Sequence, residues 1–240
     1  MKIFDRAIIL TVTKFQEDSA IITLFSRENG IYRGIARNYN SSKNSPIYQP
    51  GNLVDFSWAA RLANHLGNIK CELISAYGSM VIHNKTKLYA LMSILSIIAS
   101  SVREEEKYTN LFEYLKDYLS KISLYPFDFL DYIKIELVIL EEIGYSLDLS
   151  KCAATGTTEN LKYVSPKSGK AVSEQAGSPY SSMMLKLPSF LHLGVTTECK
   201  KQIAEAIELT GYFFKRYIFT NQNLDPNSRL LFAEHITQER

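Results

Sequence analysis

The feature that most constrains the fold of this chain is a change of hydrophobic period near residue 80. Before it, short apolar and β-branched runs, such as residues 8–12 and 20–25, alternate with turn residues in the manner of strands. After it, apolar residues return every three or four positions, which is the spacing of one helix face. The sequence therefore predicts a β-rich N-terminal domain over residues 1–80 and a helical domain over residues 81–240.

The N-terminal domain is predicted to be a small barrel. Asn29-Gly30 joins two strand-like runs and is the strongest short signal for a hairpin, and Pro50-Gly51 marks a further turn. Five short strands, interrupted by a polar loop over residues 38–45, favour a closed barrel of the oligonucleotide/oligosaccharide-binding (OB) type. A small β-sandwich has much the same sequence pattern and stays open as an alternative.

The C-terminal domain is predicted to consist of helices around an insert. Apolar residues repeat with helical spacing over residues 88–99, 111–119, 129–141 and 198–221, and a last helix is expected after Pro226. Gly144 is predicted to end the third helix. Residues 146–188 hold most of the remaining glycine, serine and proline, which predicts a loop-like insert. The predicted class is α+β: an OB barrel followed by an all-α domain with this insert.

Composition excludes a disordered chain and a membrane-spanning one. Hydrophobic residues make up 46% of the 240 and charged residues 22%, so there is enough apolar surface to offset the entropy of ordering. The longest apolar stretch, residues 88–99, is shorter than the ~20 residues that a span needs. The N-terminus lacks a cleavage site and is interpreted as a strand, not a signal peptide. Three scattered cysteines fit a reducing compartment, so we expect a cytoplasmic protein.

No recognisable catalytic motif occurs in the sequence. Phosphate-binding loops, dinucleotide fingerprints, zinc-protease motifs and nucleophile elbows are all missing from it. The four histidines are scattered, and the adjacent carboxylates of residues 104–106 and 141–142 would point in different directions on a helix. We therefore expect a protein without enzymatic activity and without a cofactor, and an enzyme built from dispersed residues is the less favoured alternative.

Positive charge is concentrated in the N-terminal third. The formal net charge is only +2, but residues 1–80 hold nine Lys and Arg against six Asp and Glu. Arg33, Arg37 and Lys43 follow the predicted hairpin, with Tyr39 between them, and Arg61 lies one predicted strand later. Cations displace counterions from phosphates and aromatic rings stack on bases, so this mixture favours binding of single-stranded nucleic acid.

Two other interpretations of these residues stay open. The cations could serve solubility alone, on a barrel that acts as a scaffold for protein partners. An OB barrel also binds RNA, so an RNA-binding module is a further alternative. Phe56 and Trp58 share one face of a predicted strand with Val54 and are expected in the barrel core, not at a binding surface.

Four stretches of the chain resemble the RecO family of bacterial recombination mediators. They are EDSAIITLFSRENGIYRGIARN (17–38), QPGNLVDFSWAARLANHLG (49–67), LEEIGYSLDLSKCAATG (140–156) and YVSPKSGKAV (163–172). They occur in the family's order and span most of the chain. The resemblance implies an N-terminal OB barrel and a helical domain with a zinc-finger-like insert.

The resemblance also implies a function and partners. Members of the family bind single- and double-stranded DNA and anneal complementary strands without ATP. They dock on the C-terminal tail of single-stranded DNA-binding protein (SSB) and work with RecR to help load RecA in the RecF pathway. A cytoplasmic, nucleoid-associated location follows from the same resemblance.

The insert departs from the zinc-binding members of the family. Those members hold zinc with two CxxC pairs, whereas here Cys152 is the one cysteine that remains, and Ser173 and Ala176 stand at the second pair's positions. Tetrahedral zinc needs four ligands. We therefore expect an insert that folds without metal.

An SSB tail is acidic and ends in an apolar residue, so its receptor is expected to combine an apolar pocket with cations. Lys215 and Arg216 next to Phe213 offer such a combination on the predicted helix 198–221. These three residues are the predicted SSB-tail site.

Overall fold

A computed structural model of the protein describes residues 2–60, 66–104, 106–197, 199–219 and 227–238. The chain divides into two compact units, Met1–Phe127 and Asp128–Arg240. Each unit has its own core.

The first unit is built on a closed five-stranded barrel. Its strands are β1 (Lys2–Gln16), β2 (Ser19–Ser26), β3 (Gly30–Arg37), β4 (Leu53–Ala59) and β5 (Gly67–Ser75). They close in the order β1-β2-β3-β5-β4, with β4 returning to β1. All pairs are antiparallel except β3 with β5. This closure confirms the OB-type barrel and excludes the sandwich.

The length of β1 and its bulges allow the barrel to close. Residues 2–8 of β1 pair with β4, and residues 7–16 pair with β2. Register shifts between Ile9 and Thr11 and between Lys14 and Gln16 bend the strand as it passes from one partner to the other. Side chains on the inner face form the core, which includes Phe56 and Trp58 as predicted.

The pairing between β3 and β5 is short, with two residue pairs. Gly34 pairs with Gly67, and a Cβ at Gly67 would stand 2.3 Å from the Trp58 ring. The Trp58 indole N–H donates to the Arg33 carbonyl oxygen at 3.0 Å. Glycine at residue 67 therefore allows Trp58 to reach β3 and to fix the backbone at Arg33.

In the described part of the first unit, the barrel is followed by three helices: α1 (Tyr77–Val81), α2 (Lys85–Ser101) and α3 (Thr109–Leu124). Asn84 caps α2 by accepting a hydrogen bond from the Lys87 N–H at 3.0 Å. Phe112 of α3 packs on Phe25 of β2, with ring centroids 5.7 Å apart. These helices share a compact unit with the barrel, whereas the sequence pattern grouped them with the later helices. The domain division at residue 80 stays a prediction.

Within its described residues the second unit contains five α-helices, a 3-10 helix (Ser178–Met183) and a small sheet. The helices are α4 (Phe129–Glu142), α5 (Glu174–Gly177), α6 (Ser189–Leu193), α7 (Lys200–Tyr217) and α8 (Asn227–Gln238). Gly144 follows α4 with φ +91, which confirms it as the stop residue. The insert is more regular than predicted, because β6 (Leu161–Val164), β7 (Ala171–Ser173) and β8 (Leu185–Lys186) form a sheet of order β7-β6-β8.

A buried ion pair joins three helices of the second unit. Glu136 of α4 is fully buried, and Arg229 of α8 is 3% exposed. The Arg229 Nε donates to Glu136 Oε1 at 2.8 Å, and Nη2 donates to Oε2 at 3.2 Å. Tyr132 and Thr210 of α4 and α7 donate their hydroxyls to the same carboxylate at 2.7 and 2.5 Å. Both carboxylate oxygens of Glu136 thus accept hydrogen bonds away from water.

Candidate nucleic-acid interface

Strand β3 presents two of the predicted cations on its outer face. The alternation of the strand turns Tyr32, Gly34 and Ala36 toward the barrel interior, so Arg33 and Arg37 point outward, and both are exposed. Four residues along a strand separate them by about 13 Å. The outer face near Phe25 is covered by α3, but the two arginines are not covered.

The two arginines differ in their partners. Arg33 Nε lies 3.8 Å from Glu104 Oε1, and both side chains are exposed. Ion pairs of this kind contribute little to stability, so a phosphate can replace the carboxylate at small cost. Among the described residues, no ion pair or hydrogen bond engages the side chain of Arg37. Arg37 is therefore the cation of this face that is most available to an anion.

Lys43 lies in an ordered loop that follows β3. Asn38 adopts a left-handed conformation with φ +53 and its carbonyl accepts from Asn44 Nδ2 at 2.9 Å. The loop is tied to the β1–β2 turn, because the Tyr39 N–H donates to the Asp18 carbonyl at 3.4 Å. Lys43 is exposed in this loop. These two hydrogen bonds thus order the loop that carries Lys43 away from the arginine-bearing strand.

Buried Asn52 anchors the far end of the same loop. Its Nδ2 donates to the carbonyls of Pro46 and Ile47 at 2.9 and 3.1 Å, and its Oδ1 accepts from the Gly78 N–H at 3.2 Å. A Cβ at Gly78 would lie 2.1 Å from the Pro50 carbonyl oxygen. The loop is therefore fixed at both ends to the barrel and to α1.

Tyr39 and Arg61 are the remaining residues predicted to bind DNA. Tyr39 is partly buried and packs against the barrel core, so that only part of its ring is accessible. Arg61 lies outside the described residues. Contact of either residue with DNA stays a prediction.

Two exposed aromatic side chains of the barrel were not predicted. Phe15 is 49% exposed near the end of β1, and Phe4 is 68% exposed at its start. The apolar run of residues 8–12 indicates the middle of this strand, but the polar residues around Phe15 conceal how far the strand extends. An aromatic residue in a polar stretch next to a turn is the signal that could have identified Phe15.

Phe4 borders a groove of mixed charge on another part of the barrel. The groove has a volume of about 590 Å³, and its charged lining residues are Asp5, Arg6, Arg27, Glu28, Asp55, Lys70 and Glu72. Arg6 pairs with Asp55 at 3.1 Å, and Arg27 pairs with Glu113 at 2.8 Å. Carboxylates outnumber cations here, so this groove does not favour a polyanion.

The predicted SSB-tail residues lie at the end of α7. Lys215 and Arg216 are exposed, and Arg216 Nη1 donates to the Pro166 carbonyl at 2.7 Å. Phe213 is only 1% exposed because it belongs to the core of the unit. A bound peptide would have no access to a ring buried in this way, and the role of Phe213 in an SSB-tail site stays a prediction.

Within the described residues, no cluster of three or more His, Cys, Asp or Glu side chains could hold a metal ion. Cys152 is buried, and its Sγ accepts the Ser173 N–H at 3.2 Å. Burial raises the pKa of this thiol, but hydrogen bonds from Ser173 and Thr155 outweigh that effect and bring the pKa to about 6. A metal-free insert stays a prediction.

None of the described helices has the length and apolar character that crossing a membrane requires.

Comparison with known proteins agrees with this architecture. The family model for the N terminal of recombination protein O matches residues 1–77, and the model for its C terminal matches residues 83–223. A protein of Rickettsia canadensis (strain McKiel) named DNA repair protein RecO is 46% identical over 239 residues, which span 98% of this chain and 97% of that protein.

Two further relatives bear the same name. The one from Rickettsia akari (strain Hartford) is 45% identical over 242 residues, which span 100% of both chains. The one from Rickettsia bellii (strain OSU 85-389) is 44% identical over 242 residues, which span 100% of this chain and 98% of that protein. The resemblance noted in the sequence is thus confirmed over the whole length, and the chain belongs to the RecO family of DNA repair and recombination proteins.

Proposed function

We propose that this protein is a non-enzymatic recombination mediator that binds single- and double-stranded DNA and anneals complementary strands without ATP or another cofactor. The observation that carries the proposal is the pair of exposed arginines, Arg33 and Arg37, on the outer face of β3. Membership of a DNA repair family supports DNA, in preference to RNA, as the polyanion.

The proposed mechanism depends on phosphate neutralisation. Arg33 and Arg37 stand about 13 Å apart on one face of the strand, so each can neutralise a separate phosphate of the same bound strand. Lys43 on the adjoining loop extends the positive surface. Each contact releases counterions and lowers the repulsion between two strands, which is the barrier to their pairing. Such contacts carry no sequence information, as annealing of arbitrary sequences requires.

The proposal includes the partners that the family resemblance implies. The protein docks on the acidic C-terminal tail of SSB, acts with RecR and helps to load RecA in the bacterial cytoplasm at the nucleoid. Lys215 and Arg216 are proposed as the cations of the tail site, because they are exposed on α7. The apolar part of that site is left unassigned, since Phe213 is buried.

The test is a salt titration of DNA binding by an Arg33→Glu/Arg37→Glu variant. Each lost phosphate contact on single-stranded DNA lowers the slope of log affinity against log salt by about 0.7, so the slope is expected to fall by about 1.4. Affinity should fall for all sequences alike. Annealing of complementary oligonucleotides, bare and coated with SSB, should slow in parallel.

The matched control reverses two charges elsewhere on the barrel. Lys2 and Lys70 are exposed on the outer faces of β1 and β5, near the groove of mixed charge, and Lys2→Glu/Lys70→Glu makes the same change in net charge. If both double variants lose affinity equally, the effect is one of net charge and the β3 site is wrong. Tighter binding of RNA than of DNA of the same sequence by the wild type would favour the RNA-binding alternative.

A further inference from the structure

We infer that Phe15 is a platform on which a base of single-stranded DNA stacks, and that it gives the barrel a preference for single strands over duplex. The inference rests on the proposed function and adds a residue and a specificity to it. It starts from the bulge in β1, where Lys14 pairs with Ala20 and Gln16 pairs with Ser19.

The bulge places Phe15 on the row of Arg37. Because of the register shift, Phe15 and Gln16 together oppose the single residue Ser19. Ser19 in turn pairs with Arg37 on β3. Two strand spacings of about 4.8 Å therefore separate Phe15 from Arg37, or about 10 Å in all. An extended strand that has a phosphate at Arg37 passes this ring.

Phe15 is also the aromatic residue best suited to stacking on this part of the barrel. Tyr32 packs against Phe56 and Trp58 in the interior, with ring centroids 5.9 and 5.7 Å apart. Tyr39 is partly buried against the same core. Phe15 is 49% exposed, so its ring has a solvent-accessible surface on which a base can stack.

Phe4 is more exposed than Phe15 but its surroundings are unsuitable. Lys2 Nζ already lies 4.8 Å from the centre of its ring. The neighbouring groove has more carboxylates than cations in its lining, so it does not favour a phosphate backbone. Phe4 thus provides a matched control: an exposed phenylalanine on the same strand without an available arginine beside it.

Charge and stacking are separable at this site. Glu17 and Asp18 follow Phe15 in the turn and offset Lys14 and Arg37, so the immediate surroundings of the ring are close to neutral. We expect the contribution of Phe15 to come from the ring, and to be nearly independent of salt. In a duplex the bases are already stacked on one another, so Phe15 has no free base to bind.

The experiment compares Phe15→Ala with Phe4→Ala in the full-length protein, using a mixed-sequence oligonucleotide as a single strand and as a duplex. Loss of one stacked base corresponds to a fall in affinity of about 5- to 150-fold. We expect Phe15→Ala to show that loss on the single strand, with duplex affinity within about twofold of the wild type and the salt slope unchanged. Phe4→Ala should match the wild type on both.

A tryptophan substitution adds a direct readout. The chain has one tryptophan, Trp58, which lies in the core. Phe15→Trp should keep the affinity for single strands, and its added emission should be quenched by the single strand and not by the duplex.

Three outcomes would overturn the inference. They are unchanged single-strand affinity in Phe15→Ala, an equal loss on single strand and duplex, and an unquenched tryptophan at residue 15. Any of these, combined with weakened binding by Arg33→Glu/Arg37→Glu, leaves the proposed function intact. An unchanged DNA affinity of Arg33→Glu/Arg37→Glu would instead contradict the proposed function itself.

Discussion

The buried Glu136–Arg229 pair should dominate the stability of the second unit. Replacing Arg229 by methionine keeps most of the apolar stem but leaves the Glu136 carboxylate without its cation, at a site with no exposure to water. The hydroxyls of Tyr132 and Thr210 remain as donors, at 2.7 and 2.5 Å. Breaking one side of a buried pair costs about 3–5 kcal/mol, because an uncompensated charge stays buried.

The double variant Glu136→Leu/Arg229→Met separates the two charges from the packing. An apolar replacement of a buried pair is often close to neutral. Here the Tyr132 hydroxyl also loses its acceptor, which costs about 1–3 kcal/mol. Thr210 keeps the Ala206 carbonyl at 3.1 Å. We therefore expect the double variant to be more stable than Arg229→Met.

Urea unfolding followed by circular dichroism measures both effects. With a slope near 2 kcal/mol per molar urea, a loss of about 4 kcal/mol moves the midpoint of the second unit down by about 2 M. Glu141→Gln, an exposed change on the same helix, is the control and should move it little. Two results would refute the reasoning. One is a loss of unfolding free energy below about 1 kcal/mol for Arg229→Met. The other is a double variant whose loss equals the sum of the losses of Glu136→Leu and Arg229→Met measured singly.

Two further predictions concern packing and pH. Gly67→Ala should destabilise the barrel by about 1–3 kcal/mol in thermal unfolding, since the new Cβ would stand 2.3 Å from Trp58; an unchanged melting temperature would show that β3 and β5 can separate there. The Cys152 pKa falls from 9.0 to about 6 through hydrogen bonds from Ser173 and Thr155, which outweigh the effect of burial. Between those pH values the unfolded thiol holds a proton that the folded thiolate lacks, so stability should rise with pH, and Cys152→Ala should abolish that part of the rise. A pH profile identical in wild type and variant would contradict the lowered pKa.

Local patterns in the sequence were sufficient to predict the main elements. The change of period near residue 80 indicated strands and then helices, and Asn29-Gly30 indicated the hairpin between β2 and β3, which the structure confirms. Alternation along a strand is a local property, so the shared outer face of Arg33 and Arg37 also follows from the sequence once β3 is identified. A glycine after α4 ends that helix by its own backbone freedom.

Contacts between distant residues required the tertiary structure. Glu136 has the sequence context of a solvated helix face, and only the packing of α8 brings Arg229 to it across 93 positions. Phe213 has cations close behind it in sequence, yet its side of α7 faces the core. The bulge at Phe15 depends on the register between β1 and β2, which no local pattern specifies. Period and turn residues determined which backbone each segment adopts, whereas the pairing of those segments decided which side chains are buried, which are paired and which remain available to DNA.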